Sequence, residues 1–175
     1  VNGTSEFVNQ LAIAITTVIF NRSALLFAGE DGVAAVSIIM YLQFLCIGIY
    51  FGFSMGLSTP LGYAYGDRNF SVCRVLEKYA YRFFAIAPII LYGCTYLLTP
   101  IGVRFFASPG STVFNMAVSG MRLYGLGFLF SGINIFAAIR MMTYGKGYIS
   151  GMITFLRSFA LLLLFLTFLP RFLEL

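Results

Sequence analysis

Five long apolar stretches, separated by short polar turns, constrain the fold of this chain most. A helix needs about 20 apolar residues to cross the hydrocarbon core of a bilayer, and backbone groups in lipid find hydrogen-bond partners only within helices or closed barrels. Barrel strands alternate apolar and polar residues over about ten positions, whereas residues 161–166 are apolar without a break. We therefore predict an all-α, polytopic transmembrane helix bundle of five spans. They cover roughly residues 7–27, 33–63, 83–98, 114–142 and 149–169.

The composition points to lipid as the main solvent of the folded chain. It is 60% hydrophobic and 10% charged, whereas a soluble domain carries about 25% charged residues. The net charge of +5 comes from scattered single bases rather than from a basic block, so no nucleic-acid partner is expected. The chain begins at Val1 without an initiator methionine or a signal-peptide pattern, which is expected of a piece of a longer protein.

The turns between the stretches carry further expectations about the helices. Pro60 should bend or break the end of the second stretch. Basic and apolar residues alternate over residues 70–82, which suits a short interfacial helix leading into the third span. The polar turns lie at residues 28–32, 66–69, 99–111 and 144–147.

Lysine and arginine are distributed unequally between the two sides of the predicted bundle. The positive-inside rule places the richer side in the cytoplasm, which predicts a cytoplasmic residue 1, cytoplasmic loops near residues 64–82 and 143–148, and residue 175 outside. The richer side carries Arg68, Arg74, Lys78, Arg82, Arg140 and Lys146; the poorer side carries Arg22, Arg104 and Arg171.

Polar residues form a stripe along the first span and another along the fourth. Polar groups are costly in hydrocarbon, so each stripe should face either neighbouring helices or a water-filled cavity. Both interpretations remain open from the sequence alone. The first stripe comprises Glu6, Asn9, Gln10, Thr16, Thr17 and Asn21, and the second Gly120, Tyr124, Gly127, Ser131 and Asn134.

Charged residues within the spans also allow two interpretations each. Arg122 and Arg157 either extend to the interface or serve a function. Glu6, taken as the only acid at membrane depth, is a candidate for ion coupling, although it could equally cap its helix.

The second span carries Gly48, Gly52 and Gly56 at every fourth position. This ladder of small residues predicts close packing against a neighbouring helix.

No catalytic or metal site is predicted. Residues 52–56 match the G-x-S-x-G pattern of a nucleophile elbow, but they lie within a predicted span and the chain has no histidine. The three cysteines lack C-x-x-C spacing and should pack as small hydrophobic residues. No enzyme activity and no cofactor are therefore expected.

Several stretches resemble, in order along the chain, the carboxy-terminal half of MATE (multidrug and toxic compound extrusion) exporters, particularly the bacterial branch. The resemblance covers nearly the whole chain. The matching stretches are NGTSEFV at residues 2–8, AGEDGVAA at 28–35, IMY at 39–41, GLSTPLGYAYG at 56–66 followed by Asn69, GFLFSGIN at 127–134 and LRS at 156–158.

The resemblance implies five spans of a six-helix lobe that works with a first lobe in the bacterial inner membrane. Such exporters expel amphipathic or cationic compounds by Na⁺ or H⁺ antiport through a central cavity. Gln10 stands where many relatives have Glu, and the fourth span lacks the cation-binding Asp of some members. The cavity candidates here are Glu6, Asn9, Gln10, Tyr41, Tyr124, Ser131 and Asn134.

Two alternatives to an exporter follow from the same features. A lipid-linked oligosaccharide flippase of the same superfamily should line its cavity with bases for a pyrophosphate cargo, and here Arg122 and Arg157 are the candidates. A membrane structural subunit would use the polar stripes only to hold helices together.

Overall fold

The computed structural model describes the backbone of residues 2–156 and the side chains of residues 7, 10, 11 and 13–156. All regular structure in this part of the chain is helical, so the predicted all-α class is confirmed. The elements are α1 (Asn2–Gly66), α2 (Phe70–Val103), α3 (Thr112–Tyr124), a 3₁₀ turn (Gly125–Gly127), α4 (Phe128–Thr143) and α5 (Gly147–Phe155).

Helix α1 is two helices joined at Gly29. This residue has φ 63° and ψ −153°, a conformation that is accessible to glycine and strained for other residues. A Cβ built on Gly32 would lie 2.7 Å from the carbonyl oxygen of Ala24, whereas residues eight apart in a straight helix are about 12 Å apart. The chain therefore folds back on itself within the predicted turn at residues 28–32. We call residues 2–28 the first arm of α1 and residues 30–66 the second arm.

Helix α2 is longer than the sequence pattern predicted. Asn69 caps it, because its Oδ1 accepts the Val72 N–H at 3.3 Å. The helix then continues unbroken from Phe70 to Val103 and contains Pro88 and Pro100. The predicted interfacial helix at residues 70–82 and the third span are therefore one helix. Pro60 does not end its helix either, because it lies inside α1, which continues to Gly66.

The predicted fourth span consists of two helices in line. Ser111 begins α3 by accepting the Phe114 N–H at 3.1 Å, and the 3₁₀ turn interrupts the helix where Gly125 packs against Tyr92 and Thr95. Three segments of the described chain are long and apolar enough to cross a membrane: Ile13–Gly66, Phe70–Val103 and Thr112–Thr143. Helix α5 begins the fifth predicted stretch, most of which lies outside the described residues.

The core joins the second arm of α1 to α2 and α4. Its largest side chains include Tyr50, Phe84, Phe128 and Phe136, all buried. The Tyr50 hydroxyl donates to the Phe128 carbonyl oxygen at 3.1 Å, which satisfies a polar group within this apolar centre. A built Cβ on Gly132 would lie 2.8 Å from the Phe84 ring and 3.2 Å from the Tyr50 ring. Glycine therefore lets α4 approach both aromatic side chains.

Aromatic contacts define the two ends of the bundle. The ring of Tyr65 lies 4.4 Å from that of Tyr144, so the turns after α1 and α4 meet at one end. Tyr41 stacks on Phe106 at 6.0 Å, which places the loop after α2 at the opposite end. The two base-rich loops near residues 64–82 and 143–148 therefore share one end, which we call the basic end.

The glycine ladder of the second arm faces open space in the described part of the bundle. A Cβ built on Gly48, Gly52 or Gly56 would meet no described atom within 4 Å. No described helix packs closely along this ladder, so the expected close packing stays a prediction. Gly132 and Gly120 lie at the close contacts instead; a Cβ on Gly120 would be 2.6 Å from Ile39.

Candidate functional site

The predicted cavity residues lie on three helices, α1, α3 and α4, and have different surroundings. Glu6 and Asn9 belong to α1, but their side chains lie outside the described set. Gln10 is exposed on the first arm. Tyr41, on the second arm, is 63% exposed and stacks on Phe106 near the end opposite the basic end. These positions do not test the predicted cavity role, which stays a prediction.

The cavity candidates of the fourth span surround the 3₁₀ turn. Tyr124 precedes it, and its ring lies 6.1 Å from that of Phe128. Ser131 follows, and its hydroxyl donates to the Gly127 carbonyl oxygen at 2.8 Å. Asn134, one turn farther, is partly buried. The Ser131 hydroxyl thus uses its proton within its own helix rather than between helices.

Two residues of the first polar stripe, Thr17 and Asn21, differ in their hydrogen bonding. Thr17 donates to the Ile13 carbonyl oxygen of its own helix at 2.9 Å. The Oδ1 of Asn21 is buried and has no hydrogen-bond partner within the described part of the chain. It lies beside a groove near the Gly29 turn, lined by Asn21, Arg22, Leu25, Glu30, Val33 and Ala34.

Arg122 has an aromatic partner inside the bundle. Its guanidinium carbon lies 4.4 Å from the centroid of the Tyr96 ring, within the range of a cation–π interaction. Its Nε is buried without a hydrogen-bond partner among the described residues. The arginine at this depth is therefore held against a ring of α2. Arg157, the other arginine predicted within a span, lies outside the described residues.

A polar cluster at the basic end joins α2 to α4. The Oε1 atom of Glu77 accepts the Nε–H of Arg140 at 2.5 Å and the hydroxyl of Tyr144 at 2.5 Å. Arg140 also donates through Nη1 to the Tyr81 hydroxyl at 3.3 Å. The Arg140 and Glu77 side chains are only 26% and 15% exposed, so this charge pair is shielded from water on most sides.

Tyr144 acts as a neutral donor in this cluster. Burial of its phenol, together with its hydrogen bond to Glu77, raises the pKa of Tyr144 to about 12. The phenol therefore keeps its proton over the physiological range. It can donate to Glu77 whenever that carboxylate is ionised.

Sequence reasoning overlooked Glu77 and considered Glu6 the only acid at membrane depth. Glu77 lies near the start of α2, which begins at Phe70, and the sequence interpretation assigned it no role. A usable signal was present, because Glu77 is the only acidic residue between residues 68 and 173. An isolated acid in a chain of this composition should pair with a base.

A charged groove lies beside this cluster on the outer surface of α2. Its volume is about 410 Å³. Arg74, Lys78 and Arg82 are exposed along it at every fourth position. The lining residues are Arg74, Glu77, Lys78, Tyr81, Arg82 and Ala85.

Metal-binding chemistry is not seen in the described residues. Among them, no three His, Cys, Asp or Glu side chains come together as a metal ion would require. Cys46, Cys73 and Cys94 are free thiols.

A bundle of long apolar helices joined by buried hydrogen bonds defines an integral membrane protein. The MatE family model matches residues 7–169. The chain therefore belongs to the MatE family, whose members are membrane transporters, and the resemblance seen in the sequence is confirmed. No curated protein and no solved structure matches the chain significantly.

Proposed function

We propose that this chain forms the carboxy-terminal lobe of a secondary transporter that exports drugs or toxic organic compounds in exchange for Na⁺ or H⁺. The observation that carries the proposal is the MatE match over residues 7–169. It coincides with a bundle whose helices are long enough to cross a membrane. The coupling ion is the only small cofactor that such an exchange requires.

An uncovered face on the second arm supports a lobe that works with a partner lobe. Tyr41, Phe44 and Tyr63 are 63%, 78% and 76% exposed. The glycine ladder lies on the same arm without a neighbour among the described residues. In the proposed transporter, this arm contacts lipid or the first lobe.

Exposed aromatic rings support the proposed class of cargo. Aromatic rings bind amphipathic and cationic molecules through apolar contact and cation–π attraction, and Tyr41 and Tyr124 both present exposed ring surface. Polar groups of Gln10 and Asn134 would orient such cargo without contributing a net charge. Arg122 already faces Tyr96, which argues against a cavity lined by free bases for a pyrophosphate cargo.

Efflux from cells that lack their own multidrug exporters tests the proposal. We expect cells that express the complete protein, with both lobes, to lose preloaded ethidium faster than cells with an empty vector. Efflux should stop when the Na⁺ and H⁺ gradients are both collapsed, and restoring one gradient alone should identify the coupling ion. The matched control is the same protein with a premature stop codon in place of Phe7.

Two outcomes would contradict the proposal. Equal ethidium loss in both strains, for a protein shown to reach the membrane, would exclude this exporter activity. Transfer of a lipid-linked oligosaccharide across proteoliposomes, without drug efflux, would instead support the flippase alternative. A protein that shows neither drug efflux nor lipid-linked oligosaccharide transfer would support the alternative of a membrane structural subunit.

A further inference from the structure

The groove on α2 presents three positive charges without a carboxylate of its own to balance them. Arg74, Lys78 and Arg82 are exposed, and none of them is in an ion pair with a described carboxylate. Glu77 also lines the groove, but its carboxylate is bound to Arg140 and Tyr144. The groove is therefore a site of net positive charge.

The length of α2 fixes the depth of this groove. Residues 83–103 contain no charged side chain, and 21 helical residues extend about 31 Å, close to the roughly 30 Å of the hydrocarbon core. If this segment crosses the core, residues 70–82 continue the helix into the headgroup layer. The three bases span eight residues, or about 12 Å along the axis. Since each headgroup layer is about 5–8 Å thick, Arg82 then lies at its inner edge and Lys78 near its outer edge. Arg74 lies on the aqueous side, from which its long side chain can extend back toward the headgroups.

The neighbouring side chains suit the same depth. Val75, Tyr79 and Ile86 are 52%, 60% and 60% exposed, so apolar and aromatic surface adjoins the bases. Tyrosine is enriched where lipid headgroups meet the hydrocarbon. A phospholipid can thus place its phosphate against the bases while its chains lie along the apolar surface below them.

We propose that this groove binds the headgroup of an acidic phospholipid. The phosphate is recognised by Arg74, Lys78 and Arg82, and Arg140 strengthens the site indirectly by neutralising Glu77. The proposal does not rest on the export function, because binding at this groove needs neither cargo nor coupling ion.

Fluorescence quenching can measure this binding directly: this chain has no tryptophan, and any tryptophan elsewhere in the complete protein is first replaced by phenylalanine. A Tyr79→Trp reporter in the complete protein is reconstituted into phosphatidylcholine bilayers that contain brominated phosphatidylglycerol or brominated phosphatidylcholine. Bromine quenches tryptophan on contact, so we expect stronger quenching by the acidic lipid. A Leu97→Trp reporter, placed in the uncharged segment of α2 where the side chain is 73% exposed, should show no preference.

Charge removal tests whether the groove is responsible. Because one base near a membrane surface contributes about a fivefold preference for acidic lipid, Lys78→Gln should lower the relative binding constant about fivefold. Neutralising all three bases should abolish the preference. The matched control is Lys146→Gln, an exposed base at the same end but outside the groove, which should change little.

Three results would overturn the proposal. They are equal quenching by both lipids at Tyr79→Trp, a preference that survives the triple variant, and an equal loss in Lys146→Gln. If the triple variant does not fold, salt titration of the Tyr79→Trp reporter decides, since a preference based on these charges must weaken as salt screens them. At constant ionic strength, replacing chloride by inorganic phosphate should leave the preference unchanged; its loss there would identify a soluble anion as the occupant instead.

Discussion

Glu77 accepts the Nε–H of Arg140 at 2.5 Å although 63 residues separate them in the chain. The pair connects the first turns of α2 to the last turn of α4. Since both side chains are mostly shielded from water, removing one partner leaves a charge that neither water nor protein fully compensates. The pair should therefore hold the basic end of the bundle together.

A double-mutant cycle measures this connection. We expect Glu77→Ala and Arg140→Ala each to lower the free energy of unfolding by about 1–3 kcal/mol. The double variant should lose less than the sum, because it leaves no unpaired charge. Equilibrium unfolding in mixed detergent micelles gives all four free energies. Strictly additive losses would mean that the two side chains do not stabilise each other.

Tyr144→Phe should change how stability depends on pH. The pKa of Tyr144 is raised to about 12 by burial and the Glu77 hydrogen bond, above the value of about 10 in an unfolded chain. The folded form therefore binds the phenolic proton more tightly, and this stabilisation is complete below pH 10 and lost as pH rises through 12. Below pH 10, Tyr144→Phe should be less stable than the parent by about 1–2 kcal/mol.

The two stability curves should converge between about pH 10 and 12. Tyr148→Phe is the matched control, since its ring is 75% exposed and its curve should follow the parent throughout. Thermal unfolding at a series of pH values provides the measurement. A constant gap between Tyr144→Phe and the parent up to pH 12 would contradict the assigned role of the phenolic proton.

Gly132 and Gly52 should respond differently to an added methyl group. A Cβ at Gly132 would lie 2.8 Å from the buried Phe84 ring, so Gly132→Ala should destabilise the bundle by about 1–3 kcal/mol through overpacking. Gly52 has open space around it in the described structure. Gly52→Ala should be neutral or slightly stabilising, because alanine favours helix over glycine by up to about 1 kcal/mol.

Unfolding measurements on both variants decide the matter, and Gly52→Leu extends the test to a larger side chain. Normal yield of Gly52→Leu would agree with an open face. A severe loss of yield in Gly52→Leu, with Gly132→Ala unaffected, would instead support close helix packing along the glycine ladder.

The helices were predictable because hydropathy and turn chemistry act locally. The Gly-bracketed turn at residues 28–32 contains the break at Gly29, and the polar turn before Asn69 precedes the capped start of α2. The interfacial helix is not separate from the third span. Charged residues along 70–82 place that part of the helix in a more polar environment, but they do not end it. The 3₁₀ turn depends on packing of Gly125 against Tyr92, which is not visible in a local pattern.

The polar contacts were harder to predict than the helices. A glycine ladder indicates small side chains but does not specify which face another helix will cover. Glu77 and Arg140 meet through the packing of α2 on α4, so their pairing depends on tertiary structure. The role of the predicted cavity residues stays a prediction, because Glu6 and Asn9 lie outside the described side chains and the others face no shared, enclosed site that the structure defines.

The orientation of the bundle can be tested by cysteine labelling. In a variant of the complete protein without native cysteines, Asp67→Cys should be shielded from an impermeant reagent outside intact cells. Glu30→Cys and Ser108→Cys should react. These exposed positions avoid the capping residues Asn69 and Ser111. The expectation follows from the excess of bases at the basic end. Labelling of Asp67→Cys from outside would show that the bundle has the opposite orientation.

The proposed cavity predicts changes in export profile rather than in protein level. Gln10 and Asn134 would present neutral hydrogen-bonding groups to cargo, and one such bond contributes on the order of 1 kcal/mol. Gln10→Ala and Asn134→Ala should therefore change efflux of individual drugs by a few-fold, in either direction, at normal yield. Ser131→Ala should change the profile less, because the Ser131 hydroxyl already donates to Gly127 at 2.8 Å.

Glu6→Gln is the contrasting variant in the same efflux assay. If Glu6 only caps its helix, glutamine should reduce stability slightly and leave efflux of every drug in place. This is the outcome we expect, with coupling carried mainly by the first lobe. A coupling role would instead abolish efflux of every substrate while drug binding to the purified protein persisted. Complete, substrate-independent loss in well-expressed Glu6→Gln protein would therefore move the ion-coupling site into this lobe.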